Sequence, residues 1–248
     1  MPQPRNVAPK PVGNTLWASR EKSMQTVMET GLAEGKRRDP EPQAAWVVLV
    51  DGDRTPIDDS EQAARSFGVE VVIIVDIMHV LAYLWKAATA WLPPDAPQVA
   101  QWVSDQTSQR LPGEVQSVVR TLRRGATAKG MSSKQREPMD RCAIYLANHA
   151  AYLHYPFSLA KGYPIATGVI EGACRHLVQE RMEITGARWG LQGGEAVLKL
   201  RALVINGDCD AYWDFHEHQE YQRNHRSTCS EMPTARPRLQ LISGGKDG

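Results

Sequence analysis

Two acidic residues of this sequence lie where carboxylates could do chemistry. Asp51 ends the apolar run WVVLVD, and Glu171 falls in the first turn of a segment with helical spacing, VIEGACRHLVQERM. Hard divalent cations such as Mg²⁺ take oxygen ligands, and two such ions held by carboxylates from separate elements can clamp an in-line displacement at phosphorus. Asp51 and Glu171 therefore suit part of a metal cluster for phosphoryl transfer.

Structural roles explain the same two residues equally simply. In Asp51-Gly52-Asp53 the first carboxylate suits an Asx turn, and Asp53 is its turn neighbour or a supporting residue of a site. An acid in the first turn of a helix, such as Glu171, is favoured by the helix dipole and can pair with Arg175 four residues on. Spacing alone leaves both alternatives open.

The elements that position Asp51 form a βαβ unit. WVVLVD and VEVVIIVD, which end at Asp51 and Asp76, are short β-branched runs typical of strands buried on both faces. The intervening segment DSEQAARSFG predicts a helix with Asp59 or Ser60 as N-cap and Gly68 just past its end. The connection predicts parallel strands, with Asp51 and Asp76 at the same carboxyl edge, where open α/β sheets keep their sites.

Asp76 and His79 form a D-x-x-H pair at the start of the next predicted helix. Asp76 can cap that helix at its positive end, which is the structural interpretation. In the functional interpretation the pair supports the site beside Asp51.

From residue 77 to about 160 the strand signals disappear, and segments with helical spacing are separated by Pro- or Gly-bearing breaks. This pattern predicts an all-helical insertion. Between Arg110 and Arg141 eight Lys or Arg residues face three acids, a local balance of +5 that includes Arg123 and Arg124. The basic stretch suits either a DNA track, whose affinity would fall steeply with salt, or a solvated helical face.

The composition narrows the classes of protein to which this chain can belong. The chain has 248 residues, 42% of them hydrophobic and 23% charged, and a net charge of +1, so any nucleic-acid site depends on local clustering. Its four cysteines form no C-x-x-C pair, which argues for reduced thiols. The sequence begins without an apolar export signal and has no run of 18 apolar residues, so we expect a cytoplasmic protein.

The ends of the sequence differ from its middle. Prolines crowd residues 1–13, residues 14–36 have helix-compatible spacing, and residues from 227 on are polar. A further helix is expected over about 194–204. The three histidines that follow it are not spaced like a closed zinc site: His216, His218 and His225.

Several long stretches, in order, resemble the transposases of the ISKra-type bacterial insertion sequences. They are VVLVDGD, DIMHVLAYLWKAA, GYPIATGVIEGACRHLVQERMEITGARWGL, EAVLKLRAL and NGDCDAYWDFHEHQEYQRNH. The resemblance runs from roughly Trp17 to Arg226, and its best block extends from Gly162 to Leu191. These transposases are DDE enzymes with a ribonuclease H-like fold.

The resemblance implies an α/β fold: an incomplete ribonuclease H-like core with an all-helical insertion and a helical C-terminal region. The core would comprise residues 46–76 and 161–226, the insertion 77–160, and the flanks a tail with a linker helix (1–45) and a flexible tail (227–248). Asp51 matches the family's second catalytic Asp, at the end of the fourth strand. Glu171 matches its Glu, on a helix after the fifth strand.

The resemblance also implies two Mg²⁺ ions that activate water, so that the element's ends are cut and a freed 3′-hydroxyl attacks a target phosphodiester. Arg175, Arg181 and Arg188 could contact phosphates, although each also suits a solvated surface. Trp189 suits core packing better than base stacking.

The sequence departs from the family at the first catalytic Asp, since nothing in residues 1–45 resembles its Asp-Gly-Lys-Gly-like segment. We therefore expect the C-terminal part of a longer transposase that acts on double-stranded DNA as a homo-oligomer or with an upstream segment, near the bacterial nucleoid. The alternatives are a non-catalytic DNA-binding remnant that regulates transposition, or a product with no function of its own.

Overall fold

The computed structural model describes residues 12–93, 96–111, 114–184, 186 and 188–226, without the side chains of residues 109–110, 169–171 and 225–226. Most of the proline-rich tail and all of the C-terminal tail predicted from the sequence lie outside the described residues. The Glu171 side chain also lies outside them, although its backbone is described.

The described chain is mostly helical and contains one small sheet. The two strands are β1 (Trp46–Val50) and β2 (Val71–Val75). The helices, in chain order, are α1 (Met24–Arg38), α2 (Arg54–Phe67), α3 (Ile77–Thr89), α4 (Pro97–Asp105), α5 (Val115–Ala128), α6 (Ser133–Asn148), α7 (Tyr155–Ala160), α8 (Gly168–Cys174), α9 (Glu180–Met182), α10 (Leu191–Asn206) and α11 (Cys209–Tyr221). Single π-helical turns follow α4, join α8 to α9 and follow α11.

The sheet confirms the βαβ prediction. β1 and β2 are parallel, with Trp46 opposite Val71 and Val50 opposite Val75. The main-chain N–H of Asp76 donates to the carbonyl of Val50 at 2.7 Å, which continues the ladder one residue past the strands. Asp51 and Asp76 therefore follow the two strands at the same carboxyl edge.

Burial on both strand faces was expected but occurs only near that edge. Val50, Ile74 and Val75 are buried, whereas the earlier residues of both strands are half-buried. A two-stranded sheet is too narrow for its neighbours to cover both faces, so its amino-terminal half keeps contact with solvent.

Helix α2 begins earlier than predicted. Its N-cap is Asp53, and Asp59 and Ser60 lie inside the helix. Pro56 can occupy the first turn because the amides there have no partner within the helix. The other end matches the prediction: Gly68 is left-handed, with φ +62°, and the N–H of Val69 donates to the carbonyl of Ala64 at 3.1 Å.

Helix α1 is shorter than the predicted helix over 14–36. It begins at Met24, where the Ser23 hydroxyl accepts a hydrogen bond from the N–H of Thr26 at 3.2 Å. The residues before Ser23 are held differently, because the carboxylate of Glu195 accepts hydrogen bonds from the Ser19 hydroxyl and the Arg20 N–H.

Where the structure describes residues 77–160, they confirm the all-helical prediction. Helices α3 to α6 bury a continuous apolar core against the carboxyl end of the sheet. Each of these helices contributes fully buried members: Val80, Leu84, Val99, Val118, Leu122, Met139 and Leu146.

The chain divides by its internal contacts into two units, Trp17–Leu198 and the two terminal stretches Met1–Leu16 and Lys199–Gly248. In the second unit the side chain of Asn206 holds the main chain of Leu16 by two hydrogen bonds. None of the helices in the described parts of the chain combines the length and apolar character needed to cross a lipid bilayer.

Candidate functional site at the carboxyl edge of the sheet

The two aspartates that follow the strands lie in opposite environments. The side chain of Asp51 is exposed to solvent, whereas Asp76 is fully buried. The parallel register makes them neighbours in the sheet. An exposed carboxylate at this edge can meet a ligand from solution, and a buried one must be satisfied by the protein.

Asp51 opens a tight turn. One of its carboxylate oxygens accepts a hydrogen bond from the N–H of Asp53 at 3.1 Å, which is an Asx turn. Gly52 between them has φ +95°, a conformation that side chains with a Cβ rarely adopt. The Asx turn expected as the structural alternative is therefore present, and the Asp51 residue remains exposed.

Tyr145 of α6 fixes this turn from behind. Its hydroxyl donates to the carbonyl of Asp51 at 3.0 Å, and a Cβ on Gly52 would collide with the same hydroxyl. The Tyr145 ring stacks on the ring of Tyr83 from α3, with centroids 4.0 Å apart and planes 13° apart. Burial, followed by the charge of nearby groups including Asp51, raises the pKa of Tyr145, so the hydroxyl remains a donor at neutral pH.

A second tyrosine holds the end of the neighbouring strand. The hydroxyl of Tyr155, at the start of α7, donates to the carbonyl of Val75 at 2.9 Å. Burial raises the pKa of Tyr155 as well, which keeps this proton in place. The carbonyls of Asp51 and Val75 are thus both satisfied by protonated tyrosines of the helical insertion.

Asp76 uses its carboxylate within the protein. One oxygen accepts from the N–H of Met78 at 2.7 Å and caps α3. The other accepts from the N–H of Thr167 at 3.1 Å and from the Thr167 hydroxyl. These contacts do not include His79, which is exposed on the first turn of α3. The capping interpretation of Asp76 is thus observed, and a supporting role for Asp76 and His79 in catalysis stays a prediction.

The contacts of Asp76 bring the start of α8 to the sheet edge. Thr167 is followed directly by Gly168, the first residue of α8, and the N–H of Ile77 donates to the carbonyl of Ile165 at 2.9 Å. With a rise of about 1.5 Å per residue, the backbone of Glu171 lies about 6 Å along the helix from Thr167. Glu171 is therefore carried by a helix that begins beside Asp76, the sheet neighbour of Asp51.

The basic stretch of the insertion is partly neutralised. Three of its arginines form ion pairs at 2.7–2.9 Å: Arg120 with Glu114, Arg136 with Asp140, and Arg141 with Glu137. Arg123 and Arg124 are exposed on α5 and form no ion pair with any described residue. A hydrogen bond from Arg136 and the charges of Arg136 and Arg123 hold the pKa of Asp140 below its usual value.

The arginines predicted near Glu171 are also exposed. Arg175 lies in the π-helical turn after α8, and Arg188 precedes Trp189. Arg181 places its guanidinium 5.5 Å from the centroid of the half-buried Trp189 ring. One face of that ring is thus used by a cation of the chain itself, an arrangement worth about 0.5–1 kcal/mol at exposed sites.

The described residues contain no group of three or more His, Cys, Asp or Glu side chains arranged to hold a metal ion. His216 and His218 are exposed on α11, where His216 stacks on Tyr212 and His218 contacts Gln222. The side chain of His225 lies outside the described residues.

Comparison of the chain with protein-family models, with curated proteins and with solved structures finds no match. Support for the candidate site therefore comes from its geometry alone. Sequence reasoning missed Tyr145, Tyr155 and Thr167, which hold the edge together. The helical spacing of Tyr145 with Met139, Cys142 and Leu146 marks it as core-facing, but no local pattern identifies its partner.

Proposed function

We propose that this chain is part of a DDE-type DNA transposase with a ribonuclease H-like core, and that Asp51 and Glu171 are two of its metal ligands. One observation carries the proposal. Asp76 anchors Thr167, so the helix that carries Glu171 begins at the edge where Asp51 is exposed. A site for Mg²⁺ and phosphate would need the carboxylates of Asp51 and Glu171 to meet at this edge.

The donor set fits Mg²⁺ in part. Asp51 offers an exposed carboxylate, a hard oxygen ligand of the kind that Mg²⁺ prefers. Asp76 does not fit as a ligand, because both of its oxygens already accept hydrogen bonds from Met78 and Thr167. The set needs at least one more carboxylate, which we assign to an upstream segment or a second subunit.

Each residue then has a definite task. Asp51 and Glu171 would hold the ion, and Tyr145 fixes the main chain of Asp51 through its carbonyl. Thr167 and Asp76 position the start of α8. When bound, Mg²⁺ would polarise a phosphate oxygen and lower the pKa of bound water, which is the chemistry of DNA cleavage and strand transfer. The protein would act in the bacterial cytoplasm, at the nucleoid.

Metal binding can be tested without a DNA substrate. We expect Mn²⁺, added as a paramagnetic substitute for Mg²⁺, to broaden the amide NMR signals of Gly52 and Asp53 in the full chain. Asp51→Asn should abolish the broadening, and Asp58→Asn should not, since Asp58 pairs with Arg54 on the exposed face of α2. Equal broadening in the Asp51→Asn and Asp58→Asn proteins would remove Asp51 from the site.

Catalysis needs a second experiment, with DNA fragments that flank the coding sequence and Mg²⁺. We expect no cleavage by the chain alone, and cleavage once the upstream segment with the further carboxylate is supplied. Asp51→Asn and Glu171→Gln should then abolish cleavage and leave DNA binding largely intact. Robust cleavage by the chain alone would show that the third carboxylate is already within it.

A second candidate is a non-catalytic DNA-binding protein that regulates transposition. Arg123 and Arg124 favour it, because both are exposed and neither is paired with a described acid. Such a protein would bind duplex DNA in EDTA, and replacing both arginines with alanine should reduce the slope of log affinity against log salt by about 2. Arg120→Ala is the matched control, since Arg120 already pairs with Glu114.

A further inference from the structure

A groove runs between α3 and α6 and has a volume of about 830 Å³. Its lining includes Tyr83 and Lys86 from α3, and Arg141, Ile144, Tyr145 and Asn148 from α6. Pockets of about 300–1,000 Å³ hold ligands of drug size. The groove therefore has room for a few nucleotides of one strand.

One residue of the groove also contacts the candidate site. Tyr145, which lines it, is the residue whose hydroxyl donates to the carbonyl of Asp51 and whose side chain lies against Gly52. A ligand that lies along α3 and α6 would therefore contact the residue that supports the Asp51 turn. Tyr145 could support the Asp51 turn without a groove beside it.

The two walls combine aromatic, apolar and cationic groups. Tyr83 stacks on Tyr145, and Ile144 exposes 53% of its surface. The ammonium of Lys86 lies 6.0 Å from the centroid of the Tyr83 ring, and the exposed Arg141 pairs with Glu137 at 2.7 Å. Cations beside apolar and aromatic surface suit a ligand with phosphates and flat rings.

Cations outnumber acids among the residues that line the groove. Lys86 and Arg141 are its basic residues, and Glu137 is its acidic one. A purely apolar ligand would leave the cations of the groove unused. A duplex buries the faces of its bases, but a single strand can stack them on an aromatic side chain.

We propose that the groove between α3 and α6 binds a few nucleotides of a single nucleic-acid strand, with phosphates beside Lys86 and Arg141 and a base against Tyr83. The proposal rests on the proposed function, because the strand would contact the residue that supports the Asp51 turn. It assigns a binding surface distinct from the exposed arginines of α5.

Binding can be measured by fluorescence anisotropy with the full chain and a labelled 12-nucleotide oligothymidylate in EDTA. We expect Lys86→Ala to weaken binding several-fold and to reduce the salt slope by about 0.7. Arg141→Ala should weaken binding by a smaller factor, because Arg141 is already paired with Glu137. Tyr83→Leu should weaken it by about fivefold or more with little change in slope, because it removes a stacking surface and no charge. Lys134→Ala removes a cation of α6 outside the groove and should bind like wild type.

Glu137→Gln supplies a change in the opposite direction. It removes the acid of the groove and releases Arg141, so the oligonucleotide should bind more tightly. A loss of folding cannot imitate a gain of affinity. Wild-type affinity in the Lys86→Ala and Arg141→Ala proteins, tighter binding of a duplex of equal length, or no binding of the oligonucleotide by wild type would each overturn the proposal.

Asp51→Asn separates this proposal from the proposed function. In EDTA it should leave oligonucleotide binding unchanged or slightly tighter, while Mn²⁺ broadening at Gly52 is lost. Oligonucleotide binding that depends on the groove residues, without metal binding at Asp51, would overturn only the proposed function. Metal binding at Asp51 without any effect of the groove residues would overturn only the groove.

Discussion

Thr167 donates two hydrogen bonds to the carboxylate of Asp76, one from its main-chain N–H at 3.1 Å and one from its hydroxyl, across 91 residues of chain. The contact closes the helical insertion, because the chain leaves the sheet at Asp76 and returns to it at Thr167. Together with the hydrogen bond from the Ile77 N–H to the Ile165 carbonyl, this pair holds the start of α8 at the sheet edge.

The side chain of Thr167 should be essential for that closure. Thr167→Val keeps the shape but leaves the buried carboxylate of Asp76 without one donor, and hydrogen bonds to charged groups contribute about 1.5–3 kcal/mol. We expect the free energy of unfolding in urea to fall by about that amount. Thr167→Ser keeps the hydroxyl and is the control, and equal stability of the two variants would contradict the assigned role.

Asp76 and Asp51 should respond differently to loss of charge. Asp76→Asn places an amide where Met78 and Thr167 both donate, so the unfolding free energy should fall by about 1–3 kcal/mol. Asp51→Asn changes an exposed side chain and should stay within about 0.5 kcal/mol of wild type. Urea unfolding of both proteins tests the contrast, and a large loss in Asp51→Asn would give Asp51 a structural role.

The sheet edge could be predicted from the sequence because its signals are local. Two β-branched runs joined by a helix ending in Gly68 specify a parallel pair, and this alone brings Asp51 and Asp76 to one edge. The start of α2 was predicted too late, at Asp59 or Ser60, because both are good N-cap types. Asp53 occupies the N-cap position instead, although its side chain makes no capping hydrogen bond.

The residues that hold the edge could not be predicted in the same way. Tyr145 and Asp51 are 94 residues apart, and Thr167 and Asp76 are 91 apart. Helical periodicity shows which face of a helix is buried, but not which distant carbonyl or carboxylate a polar atom on that face will meet. Such pairings are set by how the helices of the insertion pack on the sheet.

The buried Cys142 should make stability depend on pH in alkaline solution. Burial raises the pKa of its thiol from 9.0 to about 12, so the unfolded chain loses this proton at a lower pH than the native one. The contribution of the protonated Cys142 thiol to the free energy of unfolding is complete below about pH 9 and is lost as the pH rises toward 12. We expect the stability advantage of wild type over Cys142→Val to shrink between pH 8 and pH 10.5 in urea unfolding. A constant difference would show that the thiol does not titrate in this way.

Gly52 and Tyr145 should be coupled, because the same hydroxyl both bonds the turn and excludes a side chain from it. Gly52→Ala requires a Cβ at φ +95° and against Tyr145, and each source of strain costs on the order of 1–3 kcal/mol. Tyr145→Phe removes the hydroxyl that a Cβ would strike and the hydrogen bond to Asp51, and alone should cost about 1 kcal/mol. The double variant should therefore be less destabilised than the sum of the two single variants, by about 0.5 kcal/mol or more. Urea unfolding of the two single variants and the double variant, each compared with wild type, completes this double-mutant cycle. Strictly additive losses would mean that Tyr145 does not restrain the Asp51 turn.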